Sequence, residues 1–393
     1  MKSFDVIIIG AGAAGLMCAI SAGKRGRKVL LVDHSKNIGE KIRISGGGRC
    51  NFINLNVTPN NFLSQNSNFC ISALKRFTQR DFINLVEKHK ISYHEKTLGQ
   101  LFCDNSSKQI IEMLLAECQK NDVEIRTEIK VEKIEKKDED FLVTINQENI
   151  GCKSLVIATG GLSIPKIGAT DFGYKIAKQF GLNVISPIPG LVPLVLKSDL
   201  LEETKNLAGV SVSEVTVTCN KKTFKEAILF THKGLSGPVI LQISSYWEKN
   251  QAITINFTPK IDIISVLLEE KSRNSKQDIS HLLNPILPKS LVNYFIEKSN
   301  CNGFLAEISH KKLKDLANFI NNWQIIPENT EGFAKAEVTL GGIDTNEISS
   351  KTFESKKILG LFFIGEVIDV TGHLGGYNFG WAWSSGFCAG EFV

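Results

Sequence analysis

The chain has 393 residues, 42% apolar and 22% charged, which is enough for more than one hydrophobic core and argues against wholesale disorder. Lys and Arg exceed Asp and Glu by 46 to 41, and a formal charge of +5 over this length is too dilute to imply a nucleic-acid partner. The nine cysteines are scattered without a Cys-x-x-Cys pair, so a disulfide framework, a redox dithiol and a metal site are all disfavoured.

The N-terminus runs from Met1–Asp5 straight into an apolar strand, without signal-peptide features, and no apolar run is long enough to span a bilayer. A cytoplasmic protein free of membranes is expected. Val6–Ile9 reads as a strand buried on both faces, and it leads through Gly10-Ala11-Gly12-Ala13-Ala14-Gly15 into a helix. Gly10 permits the turn, Gly12 allows close approach of a pyrophosphate to the helix N-terminus at Ala13 and Ala14, and Gly15 lets helix and strand pack. A second strand, Val29–Val32, ends at Asp33, the expected acceptor for a ribose hydroxyl, with His34 beside it. This is a dinucleotide-binding unit, but the fingerprint does not distinguish FAD from NAD.

Next comes Ile42-Arg43-Ile44-Ser45-Gly46-Gly47-Gly48-Arg49-Cys50-Asn51. Three adjacent glycines suit neither regular structure. They free main-chain N–H groups, Gly47 among them, to wrap a phosphate or ring edge, while Arg43 and Arg49 can neutralise pyrophosphate charge. Helices are predicted over 72–90 and 106–120, and paired strands over 124–135 and 141–145. Leu155–Ala158 is a further buried strand, ending in Thr159, Gly160 and Gly161 where backbone can pass a cofactor. Pro187, Pro189, Gly190 and Pro193 mark a boundary. Beyond it lie strand signals at 210–212, 215–217 and 253–257 and helical ones at 261–268 and 311–319, an α+β insertion over 191–336. The nucleotide domain is therefore read as discontinuous, 1–190 and 337–393. In its last part Leu361–Ile364 is a strand, followed by Gly365, Glu366, Asp369, Gly372, Gly375, Gly376, Tyr377 and Asn378.

These motifs carry a resemblance. The fingerprint with Ser45–Asn51, Leu155–Gly161, Ser163–Pro165, Gly168–Tyr174 and the 361–378 segment resembles the BaiN-like family of bacterial NAD(P)/FAD-dependent oxidoreductases. The middle matches too, at Phe230–Pro238, Gln242–Trp247 and Glu337–Gly342. The resemblance departs at His373 and Gly380, where the family pattern carries tryptophan and glutamine, so no substrate contact is carried over there. It implies a Rossmann-like α/β fold with an inserted α+β domain and FAD as cofactor. It further implies a backbone contact from Val131 to adenine, a ribityl hydroxyl or water on Asp369, and Asn378 and Phe379 amides facing the ring.

FAD carries the redox step, and no catalytic residue is forced by the sequence. Cys50, His232 and Tyr377 are candidates, each with a structural alternative: a buried thiol, a solvated loop shared with Lys233, and a packed ring. With no second dinucleotide fingerprint, NAD(P)H, which the resemblance implies as donor, is expected to bind transiently in a cleft between domains. Three functions follow: NAD(P)H-linked reduction of a small organic substrate, oxidation of a small amine with oxygen as acceptor, and an RNA-associated flavoprotein. The first is preferred, with nucleic acid not expected.

Overall fold

The computed structural model describes residues 2–274 and 276–393. Strand β1 (Lys2–Ile9) ends in the buried run Val6–Ile9 and turns into helix α1 (Ala13–Lys24), whose small residues let it lie buried on nearly every side. Strand β2 (Val29–Val32) returns beside β1. Helix α2 (Lys108–Lys120) packs near α1, and β3 (Glu124–Arg126), β4 (Val131–Lys137), β5 (Asp140–Ile145) and β6 (Glu148–Ile157) follow. Far along the chain come β7 (Leu361–Phe363) and helix α3 (Tyr377–Gly390).

The sheet order is β3-β2-β1-β6-β5-β4, with β7 also on β6. β6 is long enough to pair twice, antiparallel to β5 over Glu148–Cys152 and parallel to β7 over Leu155–Ile157. Ile9 stands beside Ile157, so the ends of β1 and β6 are adjacent, as the Rossmann-like reading requires. Helices α1 and α3 run in the same sense in close contact. A side chain at Gly386 would overlap the Ala14 carbonyl oxygen, and one at Gly390 would meet Ser21. The Ser21 hydroxyl donates to Phe387 O at 2.9 Å. From that crossing α3 extends back toward its own start, placing Tyr377 about 13 Å away at roughly 1.5 Å per residue.

Three elements differ from their sequence reading. The 72–90 helix is two, Ile71–Arg76 and Gln79–Lys88, because Thr78 and Asp81 form a capping box, with Thr78 N donating to the Asp81 carboxylate at 2.7 Å. The 124–135 strand is also two: β3 pairs with β2 and only β4 pairs with β5, the break including Glu128 at φ 57°. The two strands read at 210–217 are one, Ser211–Cys219, with a register shift between Val212 and Val215 that explains the broken pattern.

The chain divides into two compact units, Met1–Ile188 with Val338–Val393, and Pro189–Glu337. The second has its own seven-stranded sheet and its own core, in which Phe230, Phe257, Phe295 and Trp323 stack or meet edge to face. The segments Val184–Gly190, which runs across the boundary at Ile188, and Val338–Ile343 pair as strands, so the chain leaves and re-enters the first unit at neighbouring positions. No helix among the described residues is long and apolar enough to cross a membrane.

Candidate functional site

The three fingerprint glycines serve different ends. At Gly10 (φ 111°) a Cβ would press on the Ala158 carbonyl, and at Gly15 it would overlap the Gly10 carbonyl, so both are packing glycines. At Gly12 a Cβ would meet nothing within 4 Å. Its neighbours Ala13 and Ala14 begin α1 with no side-chain cap, leaving donors and open space where an anion can approach. Asp33 accepts from Ala11 N at 2.7 Å and Ser35 N at 2.8 Å, so its carboxylate is held over the same turn. His34 is exposed, its Nδ1 3.5 Å from Asp33. The start of β4, where Val131 lies, is tied to this turn by Ile129 N donating to Asp33 O at 2.9 Å.

The glycine triplet follows a helical turn from Glu40 and leaves it at Ser45, after which Gly46 and Gly47 adopt left-handed angles. Gly48 O and Arg43 O accept from Ser107 N and Ser107 Oγ at 2.8 and 2.7 Å, which anchors the loop. Cβ atoms at Gly47 and Gly48 would face open space, whereas one at Gly46 would strike the Phe102 ring. Arg43 does not stand free for a pyrophosphate: its Nε donates to Glu40 at 3.0 Å, and this hydrogen bond holds the Glu40 carboxyl below its ordinary range. Arg49 is exposed with no side-chain partner among the described residues, so unlike Arg43 it could face a phosphate. Cys50 is fully buried and desolvation pushes its thiol well up, the condition of a packing residue; we assign it no redox role.

The C-terminal segment closes on the same place. Gly365 sits against Ala14, its N–H donating to Ser385 Oγ at 3.1 Å and its carbonyl accepting from Trp381 Nε1 at 3.0 Å. Glu366 accepts from Thr339 N at 2.9 Å, Ser163 Oγ at 3.2 Å and Lys41 Nζ at 2.6 Å, so one carboxylate joins four segments. Thr159 Oγ1 is buried with no hydrogen-bond partner among the described residues, and the following Gly160 (φ 70°) faces open space. Asp369 is buried, which raises its carboxyl pKa although it accepts from Gln65 N at 2.8 Å. The Asn378 side chain closes on Gly372, accepting from its N–H at 2.8 Å and donating to its carbonyl at 2.9 Å. The Asn378 and Phe379 backbone amides lie in the first turn of α3, which starts after Gly376 (φ 93°) without a side-chain cap. Tyr377 is buried there, its ring edge-on to Phe62 at 6.4 Å and to His373 at 6.1 Å.

A small sheet of Asn51–Asn54, Tyr93–Glu95 and Gln100–Cys103 frames the glycine segments. Phe102 backs Gly46, Gln100 backs Gly375 and Ile53 backs Gly376. Buried Asn54 donates to Gly375 O at 2.8 Å and to Leu98 O at 3.2 Å. Asn54 and Lys41 carry no sequence signal, and Ser163 and Thr339, although inside segments that the resemblance marks, take their roles from partners distant in the chain. His232 and Lys233 lie in the second unit, exposed at the tip of a hairpin closed by Thr231 N donating to Gly234 O at 2.7 Å. Lys233 stands 3.5 Å from Glu331.

Two uncapped helix N-termini, an open Gly12, a carboxylate over the first turn and an orphaned Thr159 hydroxyl fit an elongated dinucleotide with a diphosphate at α1 and a ring toward α3. The model of the HI0933-like protein Rossmann domain family matches residues 4–392. The chain belongs to that family. As an HI0933-like protein it is a Rossmann-type FAD-binding oxidoreductase, and the resemblance to BaiN-like flavoproteins is borne out. It is 52% identical to the ribosomal RNA dihydrouridine synthase of Escherichia coli (strain K12), over 100% of this chain and 99% of that one. It is 27% identical to the 3-dehydro-bile acid delta(4,6)-reductase of Clostridium scindens, over 98% and 97%. Among solved structures, the 3-ketosteroid-delta4-(5alpha)-dehydrogenase from Rhodococcus jostii RHA1 matches with a TM-score of 0.51 at 15% identity, over 99% of this chain and 97% of that one. That likeness bears on the fold alone.

Proposed function

We propose that this HI0933-like protein reduces a uridine of ribosomal RNA to dihydrouridine. The observation that carries the reading is the 52% identity to the Escherichia coli enzyme along essentially the whole of both chains. Dilute charge argues against nucleic acid, but charge density bears on nonspecific attraction, and one base can be recognised by a few contacts. When bound, FAD would supply hydride chemistry to the uracil C5–C6 bond, with NAD(P)H as the source of the two electrons and a proton from the protein or solvent completing the product.

In this reading the α1 amides and Gly12 receive the diphosphate, Arg49 offsets its charge, Asp33 takes the ribose and the β4 backbone at Val131 meets adenine. Thr159 supplies a hydroxyl to the cofactor's centre, beside Gly160, Gly365 and Glu366. The Asn378 and Phe379 amides, in the uncapped first turn of α3, would hold the ring end of the cofactor, where N–H donors favour negative charge. Tyr377, in the same turn, is the candidate proton donor.

A second reading is NAD(P)H-linked reduction of a small molecule, favoured by the Clostridium scindens relative. The two are chemically related, since a 3-dehydro-delta(4,6) acid and a uracil both present a carbon–carbon double bond conjugated to a carbonyl. Incubating the protein anaerobically with NADH or NADPH and ribosomal RNA from a strain lacking its gene, then analysing nucleosides by mass spectrometry, separates them. We expect dihydrouridine at one site. Reduction of a small conjugated enone with no dihydrouridine in the RNA overturns the first reading.

A further inference from the structure

The hairpin that joins Tyr93–Glu95 to Gln100–Cys103 carries a leucine where the backbone disfavours one. Gln100 N donates to Thr97 O at 3.0 Å, closing a turn whose central residues, Leu98 and Gly99, have φ of 51° and 79°. Positive φ at both central positions is the signature of a type I′ turn, and Asn-Gly is its favoured pair, because a side chain with a Cβ and no local polar group is strained there. Leu98 gains no compensating burial: it is 59% exposed. The adjoining Leu55, whose N–H donates to Gly99 O at 2.8 Å, is 40% exposed.

The rest of the unit holds this leucine in place. Asn54, itself 1% exposed, donates through one amide group to the carbonyls of Leu98 and of Gly375. Glu95 accepts from Gly99 N at 3.0 Å, fixing the other side of the turn. Gly375 immediately precedes the cap of α3, so a buried side chain couples the exposed leucine to the helix start assigned above to the flavin ring. Arg49, exposed beyond the glycine triplet, and Lys96, over the Phe102 ring at 5.4 Å, supply cations beside a small sheet that also carries the exposed carboxylates of Glu95 and Asp104.

Resting on the ribosomal RNA reading, we propose that Leu98, supported by Leu55, is a wedge that enters the base stack of a folded RNA and fills the gap left when the target uridine is turned out toward the flavin. A uracil inside a stack presents neither face to a ring, so reduction requires extrusion, and an apolar side chain in the vacated step offsets lost stacking. A rigid, strained, exposed leucine beside the ring end of the site is what that task needs, and a polar Asn at the same turn would not serve it.

The test compares two RNAs: unmodified ribosomal RNA from a strain lacking the gene, and a short unstructured oligonucleotide centred on the uridine that the wild-type protein modifies. Leu98→Gly is the informative variant, because glycine is at ease at positive φ and the fold is not put at risk. Its thermal midpoint should be no lower than that of wild type, and its FAD content and rate of flavin reduction by NAD(P)H should match wild type. Dihydrouridine formation on the folded RNA should fall by about tenfold or more, with little change on the oligonucleotide. Leu98→Phe, which retains a wedge, should keep most activity on both. Equal losses on the two RNAs, or no loss on the folded one, overturn the wedge while leaving the proposed reaction standing. If wild-type protein makes no dihydrouridine in ribosomal RNA, the reaction itself falls and the wedge with it.

Discussion

Gly12 and Gly15 belong to one fingerprint, yet substitution should separate them. Gly12→Ala puts a methyl into open space at an ordinary backbone angle, so the apoprotein should melt as wild type does, while FAD affinity falls by about 10-fold or more through loss of room for the diphosphate. Gly15→Ala drives its methyl into the Gly10 carbonyl and should destabilise by on the order of 1–3 kcal/mol before any cofactor is added. Melting curves of both apoproteins and a fluorescence titration with FAD check this pair. Asp33 combines the two roles. Its carboxylate accepts two backbone N–H groups, so Asp33→Ala should lower the apoprotein's thermal midpoint as well as FAD binding, each bond to a charged acceptor contributing about 1.5–3 kcal/mol. Asp33→Asn retains one acceptor oxygen and should recover part of the stability but little of the ribose affinity. Equal melting of wild type and Asp33→Ala would refute the structural half of that statement.

Glu117 on α2 shows how one residue binds elements together. Its carboxylate, 3% exposed, lies 2.7 Å from Lys88 Nζ and 2.8 Å from His89 Nε2, so it clamps the end of helix Gln79–Lys88 to α2. Burial alone would raise its pKa, but the hydrogen bonds from Lys88 and His89, with the charges of Lys88 and Lys24, outweigh that and bring it down to about 2. A carboxylate lowered on folding stabilises fully above its unfolded value near 4.5 and loses that contribution as pH falls toward 2, a span of about 3 kcal/mol. The wild-type thermal midpoint should therefore drop more between pH 5 and pH 2.5, to take rough bounds from that span, than the midpoint of Glu117→Gln, which lacks the titration. Parallel curves would remove the assignment. Legibility in the sequence divides along the same line between local and distant causes. The β1-Gly-α1-β2-Asp33 unit and the run into Gly365 are readable because their signals are contiguous. The split at Thr78 is local too, and the four-residue capping box Thr78–Asp81 is its signal. The strand Lys222–Phe230 and the helix Lys289–Lys298 carry no clear signal in the sequence, since mixed polar and apolar residues there take their order from packing in the second unit's core. Lys41 and Asn54 were invisible for another reason: their meaning lies in partners hundreds of residues away.

At the scale of the whole molecule, the pairing of Val184–Gly190 with Val338–Ile343 puts the two ends of the second unit's chain side by side. Joining Ile188 to Val338 through a short Gly-Ser linker should therefore leave a yellow protein with about one FAD per chain, and release of the colour on acid precipitation would mark noncovalent attachment. A colourless or aggregated product would show that the first unit depends on residues 189–337. The same arrangement orders events during synthesis. When β6 has left the ribosome, its second half still lacks the β7 neighbour, and the small-residue face of α1 still lacks α3. Both remain bare while residues 189–337 are made and collapse on their own core, and only the arrival of 361–390 covers them. The nascent chain thus carries an open strand edge and an uncovered glycine-alanine groove while residues 189–337 are synthesised, and both are covered only once residues 361–390 have emerged.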